Sequence, residues 1–289
     1  MTTSRNLRIG IPSKGRLSEL ATELLLQAGL NFRRQERSLF ARVKDIPADI
    51  TFLRADDIPV LCAEGAIDLG ITGSDLVAEH RASVEKRLDL GVGRCRLAIC
   101  VPEESSYRSA ADLQGCRVAT SFPRITQGYL ASHGSTVHLV ELTGSVEVMI
   151  ALGVADAIVD LVETGSTLAA NRLRLMDEVG QYETILIQTP GLADPEHRSL
   201  ADRIVRRLEG VVIARAYSLL EYNIPRARLA EAEQITPGFN SPTVSSLEDP
   251  AWCAVRVMVP QREVISAMER LEQLGASAIL ETKISNCRL

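Results

Sequence analysis

The sequence predicts an α/β protein of two related lobes that share a cleft, followed by a smaller α+β module. Three observations predict it. Strands and helices alternate from the first residues onward. One strand–turn–helix unit recurs further along the chain, which points to two related lobes. Beyond about residue 190 the order becomes strand, helix, strand, strand, helix, strand within about 80 residues, the pattern of a ferredoxin-like module.

Leu7-Arg8-Ile9-Gly10-Ile11-Pro12 reads as a short strand, and Ser13-Lys14-Gly15-Arg16 as the turn after it. Leu17, Leu20, Ala21, Leu24 and Ala28 then fall on one helical face, which Gly29 closes as a C-cap. The recurring unit is Glu64-Gly-Ala-Ile-Asp-Leu-Gly-Ile-Thr-Gly-Ser-Asp-Leu76 and Leu152-Gly-Val-Ala-Asp-Ala-Ile-Val-Asp-Leu-Val-Glu-Thr-Gly-Ser-Thr-Leu168. Gly65 and Asp68 correspond to Gly153 and Asp156. Gly73-Ser74 corresponds to Gly165-Ser166, with four more residues in the second loop. Arg117-Val-Ala-Thr-Ser-Phe-Pro-Arg124 echoes the N-terminal strand and turn.

Two such lobes resemble the plan of type II periplasmic-binding-protein-like folds. Ligands of open α/β sheets sit outside the carboxyl ends of the strands. The Ser13–Arg16 turn, the Thr72–Asp75 turn and the Asp160–Thr167 loop are therefore expected at the cleft. The expected division is residues 1–96 with 184–210 for the first lobe, 97–183 for the second, and 211–289 for the ferredoxin-like (ACT/PII-like) module. Within the last third, helices are expected at 195–208 (ended by Gly210), 225–232 and 262–274, and strands at 211–222, 252–259 and 278–283. This module shows no nucleophile–base pair and no phosphate loop, so it reads as a regulatory or assembly domain.

Composition narrows the chemistry. Aromatic residues make up 4% of 289, so the cores are aliphatic and ligands are not expected to be held by stacking. The net charge is −5 and the cations are dispersed, with no footprint for nucleic acid. The N-terminus shows no secretory h-region, and no stretch approaches the roughly 20 apolar residues of a membrane span, so a cytoplasmic protein is expected. Cys62, Cys95, Cys100, Cys116, Cys253 and Cys287 form no CxxC pair, and the four His form no HExxH. The cysteines read as core filler.

The most informative segment is Asp160-Leu-Val-Glu-Thr-Gly-Ser-Thr-Leu168. Thr164, Gly165, Ser166 and Thr167 offer backbone N–H groups and hydroxyls at a helix start, a cradle for phosphate. Asp160 suits ribose hydroxyls or a Mg²⁺ bridged to phosphate. The same residues also read as a plain N-cap. Lys14 and Arg16 around Gly15 suit a pyrophosphate, or form a solvated basic turn. Arg54 reaches toward a phosphate or base, or pairs with Asp56 or Asp57. Thr72, Gly73 and Asp75 share the cleft, and Glu147 opens a helix where acidic charge is favourable in any case. No Ser–His–Asp order, Cys–His pair or isolated acid pair is evident, which suits a reaction run by positioning and charge stabilisation.

Asp156-Ala-Ile-Val-Asp-Leu-Val-Glu-Thr-Gly-Ser-Thr-Leu168, preceded by Leu142-Thr-Gly-Ser-Val-Glu147, resembles the signature of the ATP phosphoribosyltransferases. Ile11-Pro-Ser-Lys-Gly-Arg-Leu17, the Gly65–Asp75 segment, Ile235-Thr-Pro-Gly-Phe-Asn-Ser-Pro-Thr243 and Leu274-Gly-Ala-Ser-Ala-Ile-Leu280 match as well, in the same order. The resemblance implies attack of N1 of ATP on C1′ of phosphoribosyl pyrophosphate, with Mg²⁺ required. It implies that the Asp160–Thr167 loop holds the sugar 5-phosphate and that Lys14, Gly15, Arg16 and Arg54 meet nucleotide or pyrophosphate. It also implies feedback by histidine bound between subunits, with Asn223, Phe239, Ser241, Thr243 and Ala278 as candidate contacts, and dimers that exchange with a hexamer. Two rivals share the two lobes. A solute-binding module has no use for the third domain. A hydroxymethylbilane synthase needs a tethering Cys there, and Cys253 and Cys287 lie outside any motif.

Overall fold

β1 (Leu7–Pro12) is buried on nearly every residue, as a central parallel strand should be. It opens a chain whose computed structural model describes residues 5–35, 38–162 and 165–288. After β1 come α1 (Arg16–Gln27), β2 (Phe40–Arg42), β3 (Ala48–Leu53), α2 (Asp57–Ala63), β4 (Leu69–Gly73), α3 (Ser74–His80) and β5 (Glu85–Asp89). Next are β6 (Cys95–Pro102), β7 (Arg117–Thr120), α4 (Pro123–Ser132), β8 (His138–Glu141), α5 (Val148–Ala151), β9 (Ala157–Val162), α6 (Ser166–Ala170), β10 (Leu173–Tyr182) and β11 (Thr184–Gln188). The last third holds α7 (Pro195–Ala216), β12 (Tyr217–Pro225), α8 (Leu229–Ile235), β13 (Thr243–Ser246), β14 (Trp252–Pro260), α9 (Val264–Gln273) and β15 (Ser277–Lys283).

The chain divides into two compact units: Met1–Glu23 with Asn31–Asp202, and Leu24–Leu30 with Arg203–Leu289. The first unit contains two sheets, ordered β2-β3-β1-β4-β11-β5 and β10-β6-β9-β7-β8. They follow one plan. β3, β1 and β4 are parallel, β11 is antiparallel to β4, and β5 closes the edge. Equally, β8, β7 and β9 are parallel, β6 is antiparallel to β9, and β10 closes the edge. In each lobe the antiparallel strand follows a crossing from the other lobe. This is the type II periplasmic-binding-protein-like arrangement expected from the repeat.

The repeat extends to single hydrogen bonds. Asp68 donates its N–H to the Arg8 carbonyl (2.9 Å), and its carboxylate accepts the Arg8 N–H (2.7 Å). Asp156 does the same with Arg117, at 2.9 Å both ways. Gly65 and Gly153 precede these aspartates with φ of 71° and 68°, a left-handed turn that favours glycine.

The second unit carries a four-stranded sheet, β13-β14-β12-β15, with every neighbouring pair antiparallel. With α8 and α9 this is the ferredoxin-like arrangement. Alternate residues of β12 are buried, and Leu220, Tyr222 and Ile224 join Val255, Val257, Val264 and Leu271 in one core.

Several expected boundaries differ, among them the helix expected at 225–232, which is a 3₁₀ turn at Arg226–Arg228 followed by α8 at Leu229–Ile235. The helix expected to stop at Gly210 continues to Ala216. The β-branched run Val211-Val212-Ile213 reads as strand, yet Ile204, Leu208 and Val211 are buried at helical spacing. Gly210 serves close approach instead: a β-carbon there would collide with the carbonyl of Cys287, whose N–H bonds the Gly210 carbonyl at 3.0 Å. The strand expected at 211–222 accordingly starts at Tyr217. In the second lobe, β9 runs to Val162, so Asp160, expected to open the loop, lies within the strand, opposite Ala98 of β6.

Candidate active site

The two lobes line a cavity of about 600 Å³, a volume in the usual range for small-molecule sites. The first lobe and the crossings contribute Arg16, Leu17, Leu20, Gly73, Asp75, Gly93, Cys95, Glu183 and Thr184. The second contributes Glu147, Ile158, Asp160, Leu161, Val162, Gly165, Thr167 and Leu168. The cavity therefore gathers Arg16, Gly73, Asp75, Glu147, Asp160, Gly165 and Thr167 from the residues expected at the cleft.

Each arrives for a local reason. Gly165 is the N-cap of α6 with φ of 79°, and a β-carbon there would meet nothing within 4 Å. The backbone is thus left-handed and open on the side where a side chain would project. α6 is only five residues long, so its dipole is small. What this segment offers the cavity is the backbone of Gly165 and Thr167 rather than a long helix. Thr164 and the Ser166 side chain lie outside the described residues. Asp160 accepts the N–H of Leu161 at 2.8 Å. Burial pushes its carboxyl above the ordinary carboxylate range, the Leu161 N–H pulls it back, and the charge of Glu147 adds to the rise.

Asp75 sits in the first turn of α3 and is 6% exposed. Burial raises its carboxyl too, opposed by the N–H groups of Leu76 and of Asp75 itself. Gly73 is the partner of this fold-back, because a β-carbon there would collide with Asp75 Oδ1. Thr72 is fully buried in β4 and lies behind the cavity wall. Its hydroxyl finds no hydrogen-bond partner among the described residues.

The Ser13–Arg16 turn joins β1 to α1, with Lys14, Gly15 (φ 81°) and Arg16 exposed. Only Arg16 of these lines the cavity. Pro12 pairs with Leu53 and the Ser13 N–H reaches the Leu53 carbonyl, so Arg54 leaves the sheet beside this turn. Arg54 is exposed and forms no ion pair with Asp56 or Asp57 among the described residues.

Sequence reasoning did not anticipate the crossings. Gly91 and Gly93 are both left-handed (φ 66° and 64°), and a β-carbon on Gly93 would collide with the Thr184 hydroxyl. The segments bond to each other through Leu90 N–H to Thr184 O (3.0 Å) and Thr184 N–H to Val92 O (3.1 Å). Glu183 and Thr184 thereby enter the cavity wall. The Gly-Val-Gly spelling was the available signal. A second groove, of about 610 Å³, adjoins the first through Cys95, Val162 and Glu183. Its cations face carboxylates: Lys86 with Asp89 (3.0 Å), Arg94 with Glu183 (3.5 Å) and Arg96 with Glu178 (4.0 Å).

The expected effector residues lie on the second unit. Asn223 is half-buried in β12, opposite Ala254 and Ser277. Thr243 opens the exposed β13, Ser241 is exposed, and Phe239 is 52% exposed with its ring edge-on to Tyr217 at 5.9 Å. Ala278 has φ of 48°, a left-handed alanine where the β12–β15 register shifts. Such a conformation is strained for a residue with a β-carbon. Cys62 and Cys100 are buried thiols pushed up to about 12 by desolvation. Cys253 is also buried, so these three act as core residues.

Two lobes of one topology around a mixed polar and apolar cavity, with an open glycine loop on one wall, define a two-lobed ligand-cleft protein. Comparison with known proteins gives the family. Residues 54–210 match the family model described as ATP phosphoribosyltransferase, and residues 214–286 match the C-terminal domain model of the same family (HisG). An ATP phosphoribosyltransferase of Rhodopirellula baltica is 67% identical over 285 residues, covering 98% of this chain and 94% of that one. One of Saccharopolyspora erythraea is 41% identical, covering 98% and 100%. Among solved structures, the ATP phosphoribosyl transferase (HisG:HisZ) complex from Thermotoga maritima aligns with a TM-score of 0.64 and 30% identity, covering 71% of this chain and 97% of that one. The chain belongs to the ATP phosphoribosyltransferase family, transferases of the first step of histidine biosynthesis. Among the described residues, no helix is long and apolar enough to cross a membrane.

Proposed function

We propose that the cleft holds phosphoribosyl pyrophosphate against the second lobe and joins its C1′ to N1 of ATP. The N1–C1′ bond forms as the C1′–O bond to pyrophosphate breaks, with inversion at carbon. N1 attacks with its own lone pair, so no proton has to leave first. The chain's part is to hold two substrates in line and to stabilise the charge that grows on pyrophosphate.

The observation that supports this most is Gly165, left-handed and open toward the cavity. Its loop receives the 5-phosphate on peptide N–H groups and the Thr167 hydroxyl, and Asp160 meets the ribose hydroxyls. Arg16 supplies positive charge from the opposite wall, with Lys14, Gly15 and Arg54 as outer contacts to nucleotide or pyrophosphate. Gly73, Asp75 and the buried Thr72 shape the nucleotide side.

Among the described residues no three His, Cys, Asp or Glu converge as a metal cage. Asp160 and Glu147, close enough for the charge of one to raise the other, offer the oxygen donors that Mg²⁺ takes. Mg²⁺ bound with pyrophosphate supplies neutralisation of the leaving group.

The same reading makes the second unit a histidine sensor, with Asn223, Phe239, Ser241, Thr243 and Ala278 at the effector site. The strained Ala278 at the register shift near Asn223 supports that choice. The reading includes assembly into dimers and a hexamer, and a cytoplasmic setting in keeping with biosynthetic relatives. The test is a spectrophotometric assay with ATP, phosphoribosyl pyrophosphate and Mg²⁺, with and without histidine. Product formation suppressed by histidine is expected. No product, with pyrophosphatase present, would overturn the assignment, and product indifferent to histidine would remove the effector site alone.

A further inference from the structure

α4 has no cap of its own. Its N-cap residue is Phe122, which offers no side-chain acceptor, and its first residue is Pro123, which has no N–H. The donors left over are the N–H groups of Arg124 and Ile125, which an N-cap Ser or Asp would normally satisfy. They are satisfied from the other lobe. Glu79, in the last turn of α3, accepts the Arg124 N–H at 2.8 Å on one carboxylate oxygen and the Ile125 N–H at 3.0 Å on the other. Glu79 is 6% exposed. The contact is reciprocal, since Arg124 Nη1 donates to the Glu79 carbonyl at 3.3 Å, where α3 ends. A carboxylate meets a helix N-terminus and a guanidinium meets a helix C-terminus, both favourable with the helix dipoles.

Both helices lead back to the cleft. The first turn of α3 carries Asp75 of the cavity wall. α4 follows β7, whose neighbour β9 carries Asp160. The repeat shows what the Glu79 carboxylate replaces. The β1–α1 turn and the β7–α4 turn are equivalent, Ser13-Lys-Gly-Arg16 against Ser121-Phe-Pro-Arg124. The first leaves its helix start exposed, whereas the second is plugged by an internal anion.

We infer that Glu79 is a positioning residue for phosphoribosyl transfer, a clasp between the lobes that fixes the first-lobe wall against the second. The inference rests on the cleft being the site of transfer. Each lobe keeps its own contacts when the clasp is lost, so each substrate still binds. What is lost is the in-line approach of N1 to C1′, and a displacement of about 1 Å can cost on the order of 100-fold in rate.

The experiment compares wild type with Glu79→Ala and Glu79→Gln, with and without added formate. Steady-state kinetics are combined with titration of phosphoribosyl pyrophosphate to count competent sites. Expected for Glu79→Ala is a kcat lower by about 10- to 100-fold, Michaelis constants within about twofold, unchanged site stoichiometry, and partial recovery of kcat with formate, which fits the vacated helix start. If Glu79→Ala fails to fold, Glu79→Gln, which keeps the size and one acceptor oxygen, is expected to show a smaller kcat loss with the same stoichiometry. A kcat within twofold of wild type in either folded variant would overturn the clasp. So would a kcat loss that merely tracks lost binding sites and ignores formate. Gly165→Val, measured in parallel, separates the two ideas: it reports on the cleft assignment whatever Glu79 does.

Discussion

The two lobes share a strand order and a reciprocal Asp–Arg backbone pair, yet their third strands end differently. In the first lobe β4 runs into α3 through Gly73, and the carboxylate of Asp75 folds back over that glycine. In the second, three residues (163–165) stand between β9 and α6 where none stands between β4 and α3, and Gly165 faces open space. One lobe fills its strand end with its own side chain, and the other leaves the backbone at Gly165 open. The acids differ in the same sense. Asp156 opens β9 and is held below the ordinary carboxylate range, first by the Arg117 side chain and then by its N–H. Asp160, four residues on and within β9, is held above that range by burial. One aspartate serves the scaffold and the other stores a cost at the cleft.

The largest effect is expected at Asp160. Asp160→Asn should lower kcat/KM for phosphoribosyl pyrophosphate by about 100-fold while raising stability at neutral pH. The sign follows from its raised carboxyl: the fold disfavours the charged form, so stability increases as pH falls through the raised value toward the ordinary one. The variant's advantage in urea unfolding should therefore be present at pH 7 and vanish in acid. A neutral-pH stability loss would show that Asp160 is structural.

A smaller change is expected at Gly73→Ala, which must displace the Asp75 carboxylate. About a tenfold rise in the Michaelis constant for ATP is expected, with that for phosphoribosyl pyrophosphate unchanged; the reverse pattern would exchange the roles of the lobes.

The smallest effects on activity belong to the scaffold pairs. Asp68 is fully buried, accepts the Arg8 N–H and takes both Arg5 nitrogens at 2.6 and 2.8 Å. Asp68→Asn should cost about 2–3 kcal/mol in urea unfolding with kcat retained. Asp156→Asn, at a more exposed pair, should cost less. Its lowered carboxyl contributes stability above the ordinary carboxylate value, which is lost as pH falls through the depressed one. The gap between wild type and Asp156→Asn should thus close in acid. A gap that persists there would assign the loss to packing instead.

Most of this contrast was legible in the sequence. The correspondence of Gly65 and Asp68 with Gly153 and Asp156 rests on local backbone needs, a left-handed turn and an acceptor for a strand-opening N–H. Local patterns report such needs directly. The end of α7 was misread because Val211-Val212-Ile213 has strand-like composition, whereas the demand on Gly210 comes from Cys287, far away in the chain. Thr72 carried the right spacing for the cleft but is fully buried in β4 and does not line the cavity, a distinction that period-two patterning leaves open when both faces of a strand are buried. Glu183, Thr184 and Gly93 reach the cavity only because two crossings lie side by side. Glu79 caps a helix 45 residues away, so no local signal marked it.

The division of labour between the lobes is tested most directly by the two Michaelis constants of Gly165→Val. A β-branched side chain forces the left-handed backbone out of its conformation and projects into the space assigned to the 5-phosphate. The constant for phosphoribosyl pyrophosphate is expected to rise about tenfold or more, with that for ATP within twofold of wild type. An unchanged constant for phosphoribosyl pyrophosphate would contradict the placement of the sugar phosphate on the second lobe.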